Sequence, residues 1–125
     1  MDKNKIAQKY LKYLESGNME KVVGLFSENG IVESPIYGIK KANDFYFELK
    51  SDTLNSELNL KGVFEKYNSN EFVLYFSYKW TLKNNRKVAF DVVDVMELDW
   101  ENKIKKLKII YDTVISRKLI NQLYE

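Results

Sequence analysis

Asp94 stands in an otherwise apolar strand face, where a carboxyl group has chemistry that a surface aspartate lacks. The segment Phe90 to Leu98 reads as one β-strand, and side chains along a strand alternate between faces. One face carries Phe90, Val92, Asp94, Met96 and Leu98; the other carries Asp91, Val93, Val95 and Glu97. Apart from Asp94, the first face is wholly apolar, so it points at a core or a cavity. An ionised carboxylate without a partner is costly to bury, so such a group pairs or takes up a proton. The neutral acid can then donate a hydrogen bond. Asp91 lies on the opposite face, so the two carboxyls cannot form an acid–base pair or share a metal ion. Arg86 and Arg117 sit beside no carboxylate pair in the pattern. Histidine and cysteine are absent. That removes histidine triads, the usual zinc sites, thiol nucleophiles and disulfides. With nine tyrosines in the chain, phenols become the main neutral-pH hydrogen-bond donors.

The elements that position Asp94 follow from periodicity. Residues 3–16 read as a helix, with Ile6, Ala7, Tyr10, Leu11 and Leu14 at helical spacing. Gly17 ends it and Asn18 caps a second short helix carrying Met19, Val22, Val23 and Phe26. Gly30 marks the end of the following turn. Ile31 to Ser34 reads as a short strand broken by Pro35, and Gly38 as another turn. A third helix is expected over about 41–50. Strands follow near 55–66, 71–82, 86–99 and 103–113, separated by Asn-rich turns at 68–70 and 83–85 and a third turn at 100–102. Ile115, Leu119 and Leu123 suggest a short C-terminal helix. Helices followed by an antiparallel meander are the α+β pattern.

Composition narrows the functional classes. At 125 residues the chain is expected to form one domain over 1–125, with 45% hydrophobic content sufficient for a core. Twenty basic and 18 acidic residues leave a net charge of +2, which makes no case for nucleic acid or an anionic membrane as partner. Lys103, Lys105, Lys106 and Lys108 read as the solvated face of one strand that resists edge pairing. The N-terminal stretch is amphipathic rather than an apolar leader, so neither a signal peptide nor a membrane span is expected. The expected location is cytoplasmic.

The order of elements and several local strings resemble the NTF2-like cone fold, and within it the ketosteroid isomerase and SnoaL-like branch. The resemblance covers about residues 5–113. Phe90-Asp91-Val92-Val93-Asp94-Val95-Met96 is similar to the segment in which the isomerases carry the protonated aspartate of their oxyanion hole, and Asp94 falls on it. Tyr10 falls on the oxyanion-hole tyrosine. Phe45-Tyr46 matches a pair whose tyrosine hydrogen-bonds that catalytic tyrosine. Glu33-Ser34-Pro35 falls on a Glu-Asp-Pro string whose aspartate is the general base. Here that position is Ser34, far too weak a base at neutral pH. Glu33 is the alternative base, but it should face away unless a bulge turns it in. Phe26 replaces a second tyrosine of the network, and Tyr111 stands where a cavity-lining tryptophan is frequent.

The resemblance therefore implies a cone of helices packed in a strongly curved antiparallel sheet, with an apolar pocket. Tyr10 and Asp94 would donate to the oxygen of a small ketone- or phenol-like ligand, with Phe26, Tyr46, Val92, Met96 and Tyr111 contributing to its site. It implies no cofactor and no metal. The reaction, where one is catalysed, would be proton transfer next to a carbonyl. A non-catalytic binding module and a pure association module on the same fold are the alternatives. Val93 and Val95 on the outer face suggest a homodimer through the sheet.

Overall fold

The computed structural model describes residues 2–125. Helix α1 (Lys3–Ser16) is capped by the Asp2 carboxylate, which accepts from the Asn4 N–H, and buries Ile6, Ala7, Tyr10, Leu11 and Leu14. It stops at Gly17, whose φ of 75° is the left-handed cap that glycine adopts without strain. Helix α2 (Met19–Val23) follows, capped by the Asn18 side chain. The remaining elements are β1 (Phe26–Ser34), β2 (Gly38–Lys41), α3 (Ala42–Asp52), β3 (Thr53–Glu65), β4 (Glu71–Leu82), β5 (Lys87–Leu98), β6 (Ile104–Ile110) and α4 (Val114–Leu123).

The strands form one curved, unclosed sheet in the order β2-β1-β6-β5-β4-β3. Every pairing is antiparallel except β1 with β6. The expected α+β cone is therefore present. Helices α1 and α3 pack into its concave side, and the buried residues of β4, β5 and β6 close on them. The period-two burial of β4 and β5 is what makes this possible: Phe72, Leu74, Phe76, Tyr78, Trp80 and Leu82 are buried in alternation, and so are Val92, Asp94, Met96 and Leu98.

Several expectations need correction. Phe26 is not on the second helix; it opens β1, which begins five residues before the expected strand. Gly30 does not end a turn but lies inside β1, where the register against β6 shifts. A Cβ there would lie 2.9 Å from the Ile104 carbonyl oxygen and 3.0 Å from the Phe26 ring, so only glycine admits this approach. Strand β2 went unread because it is four mostly exposed residues at the sheet edge, two of them lysines. The C-terminal helix α4 is present, but Ser116, Leu119 and Ile120 face inward and Ile115 outward. Among the described residues no helix is long and apolar enough to cross a membrane.

Candidate functional site

Strand alternation delivers Asp94 to the concave side, where it is 1% exposed. Its strand neighbours there are Leu74 and Ile109. Neither carboxyl oxygen has a hydrogen-bond partner. Burial alone pushes its pKa well above the ordinary 3.8, since no cation offsets the lost hydration. The group is thus an acid whose protonated form is favoured, with its donor and acceptor unspent.

Asp94 lines a cavity of about 50 Å³. The floor is fully buried Tyr10, Phe76 and Asp94. The half-exposed Tyr37, Phe90, Ile109 and Tyr111 mark the mouth. Tyr78 of β4, Phe90 of β5 and Tyr111 just past β6 stack face to face, with ring centres 5.5 and 4.4 Å apart and planes within 15° and 17° of parallel. One wall is consequently a rank of parallel rings, a flat slot rather than a round hole. A cavity of about 150 Å³ is known to take benzene. The space here accepts the polar end of a molecule, and the remainder would extend through the mouth.

Tyr10 reaches the cavity from the fully buried face of α1. Its hydroxyl is 2.6 Å from that of Tyr46 on α3, with either able to donate. Burial raises the pKa of both phenols well above the ordinary 10.0. When Tyr46 donates, the Tyr10 proton is free for a ligand. Burial also pushes Tyr78 up to about 12, and its hydroxyl is 2.8 Å from that of Ser56. Ser34 faces the cavity at the end of β1, where its hydroxyl accepts the Tyr37 N–H at 2.9 Å. That contact fixes the β1–β2 turn and occupies a lone pair that a base would need.

Of the residues singled out from sequence, Tyr10, Ser34, Val92, Asp94 and Tyr111 meet in the cavity. The others do not line it. Glu33 points to the outer face, where it pairs with Lys108 at 3.5 Å. No bulge turns it inward: the β1–β6 register is shifted between Phe26 and Ile31, short of Glu33. Phe26 packs its ring on Tyr46 at 5.6 Å. Met96 is wholly buried between Phe72 and Leu107 of the flanking strands. Tyr46 stands behind Tyr10 rather than at the wall. Among the lining residues that the sequence did not single out for the site are Tyr37, Tyr78, Trp80 and Phe90. The signal for Tyr78 was the alternation of β4 together with its register opposite Phe90, which only pairing reveals. No group of three or more acidic, histidine or cysteine side chains able to hold a metal occurs among the described residues.

No family model matches the chain, and a search of curated proteins finds no match. Solved structures do match. An NTF2-like protein of unknown function from Burkholderia pseudomallei K96243 aligns at a TM-score of 0.81 with 14% identity, covering 96% of this chain and 98% of that one. The epoxide hydrolase/cyclase-like enzyme SalBIII, described with pyran ring formation in the polyether salinomycin, aligns at 0.76 with 15% identity over 87% and 89%. A hypothetical protein with a ketosteroid isomerase-like fold from Catenulispora acidiphila DSM 44928, in complex with trimethylamine, aligns at 0.75 with 11% identity over 86% and 85%. Sequence identities this low speak for the fold alone, and on that ground the chain has the NTF2-like fold.

Proposed function

We propose that this chain, as one domain, binds a small, flat, oxygen-bearing molecule of ketone or phenol type, with Asp94 and Tyr10 donating to its oxygen. The observation that carries the reading is Asp94 itself: a carboxyl buried in an apolar cavity with both oxygens unpartnered. A fold tolerates such a group where it serves a site, because leaving it unsatisfied costs about 1–3 kcal/mol. Two donors converging on one oxygen favour negative charge developing there, so the reaction this pocket would assist is proton transfer beside a carbonyl. Ser34 occupies the base position but is held by the turn, and Glu33 is held by Lys108. The proton acceptor would have to be a water at Ser34 or the ligand itself, which favours binding over catalysis in this chain.

A fluorinated phenol titrated into the protein and followed by fluorine NMR tests the reading. Saturable binding that weakens at least about tenfold in Asp94→Leu is expected, corresponding to about 1.4 kcal/mol. Equal binding by the variant, or none by either protein, overturns it.

A second reading, association through the sheet, rests on the outer face. Tyr75, Val93 and Ile110 lie in register across β4, β5 and β6, with Val73 and Val95 in the next row, all partly exposed. A second copy would cover this band, and a homodimer is compatible with the pocket on the opposite face.

A further inference from the structure

No side chain around Asp94 bonds to it, so its two oxygens are left for a ligand. Tyr10 pairs with Tyr46, and Tyr78 with Ser56. Tyr37 donates its hydroxyl to Asp52 at 2.5 Å, and the Trp80 Nε1–H goes to Thr53 at 2.8 Å. Asp94 keeps two buried oxygens with no partner. A protonated carboxyl presents a donor and an acceptor side by side in one plane. A ketone oxygen engages the donor and leaves the carbonyl oxygen bare. A planar group with an N–H cis to a C=O engages both, closing a ring of two hydrogen bonds.

We propose that the ligand head seated on Asp94 is a neutral carboxamide or lactam, bound edge to edge through paired hydrogen bonds to the two carboxyl oxygens. This rests on the cavity being a binding site and names the class of ligand it selects. The size agrees, since about 50 Å³ admits a head of a few atoms. The rank of parallel rings makes the slot flat, which suits a planar amide. Charge agrees as well: an amide stays neutral and enters the apolar cavity without an ionisation cost, whereas a carboxylate of the same shape would carry its charge into a cavity lined by no cation. The titratable groups around Asp94 are Tyr10 from α1, Tyr46 from α3 and Tyr78 from β4, with Tyr37 and Tyr111 at the mouth, all phenols whose own pKa values are raised.

Acetamide, acetone and N,N-dimethylacetamide separate the possibilities, titrated into nitrogen-15-labelled protein with the backbone signals of Ser34, Val92 and Asp94 as reporters. Acetone matches acetamide in shape but lacks the donor, and dimethylacetamide has the donor blocked. Acetamide is expected to bind at least about tenfold tighter than either. Asp94→Asn, whose side chain also offers a donor beside an acceptor, retains that preference. Asp94→Leu, of similar size and apolar, loses it. In the wild type the preference fades as pH rises and Asp94 ionises, whereas in Asp94→Asn it is constant. Equal binding of acetamide and acetone overturns the amide assignment while leaving the oxygen-binding reading standing. A preference for acetamide that survives in Asp94→Leu also overturns it. If no probe and no phenol perturbs the cavity signals, both readings fall together.

Discussion

Asp94 is expected to cost the fold stability at neutral pH, and the sign follows from its raised pKa. The folded state favours the protonated carboxyl; the unfolded chain releases that proton near 3.8. Below that value Asp94 imposes no ionisation penalty. As pH rises from there through the folded pKa, stability falls by up to about 1.4 kcal/mol per pH unit, then levels off. Asp94→Asn removes the slope, so urea unfolding should find the variant more stable at pH 7 and the gap narrowing toward pH 4. A constant gap would mean that the carboxyl titrates normally. Tyr46→Phe deletes one hydroxyl of the buried pair and strands that of Tyr10, for a predicted loss of about 1–3 kcal/mol. At this scale the sequence was legible where alternation alone decides the outcome. Val92 and Asp94 share a strand face whatever the neighbours are. Met96 shares it too, yet Phe72 and Leu107 seal it from the cavity, and strand register is not written in one strand. Glu33 faced away for the same parity reason that brought Ser34 in. Tyr78 and Trp80 look like any aromatic core stripe until β4 is laid beside β5.

Between elements, the weight falls on Gly30 and on Asp52. Gly30→Ala drives a methyl into the Ile104 carbonyl and the Phe26 ring, which must part β1 from β6 or displace Phe26. An overpacking cost of about 1–3 kcal/mol is expected, read as a lowered urea midpoint with an unchanged slope. Asp52, buried at the end of α3, accepts from Tyr37 in the β1–β2 turn and from Tyr124 just past α4. Arg117 in α4 donates to the Pro35 carbonyl at 2.8 Å. These contacts tie the C-terminal helix to the turn that holds Ser34 and Tyr37 at the cavity. Tyr37→Phe should cost about 1–3 kcal/mol, because it strips a donor from a buried carboxylate. Tyr124→Phe should cost less than about 1 kcal/mol, since that ring is largely exposed. The reverse order would mean that α4, not the turn, carries the anchor. Strands β4 and β5 were legible because alternation runs through them between Asn-rich breaks; β6, expected to reach residue 113, ends at Ile110. Strand β2 was not legible, being short and nearly all exposed. The helix α4 was legible in existence but not in phase, because its inward face includes Ser116, which carries no hydrophobic signal.

For the whole molecule, the fold places two surfaces back to back: a concave face with the acid-floored cavity, and a convex face with the partly exposed band of Tyr75, Val93 and Ile110. On the association reading, Val93→Lys should leave the monomer folded, and sedimentation should show a dimer for the wild type and a monomer for the variant. Identical sedimentation of the two proteins would remove the association reading. The fold was readable from the order of elements because a meander of long strands has few ways to close over three helices. The ligand was not, because cavity volume and the spending of hydrogen bonds around Asp94 exist only after packing. The most direct test of the account is a carbon-13 NMR titration of the Asp94 side-chain carboxyl, assigned by its disappearance in Asp94→Asn. The prediction is a midpoint well above the ordinary carboxylate range. A midpoint near 3.8 would mean an ionised, solvated Asp94, and would contradict the neutral donor on which the proposed site depends.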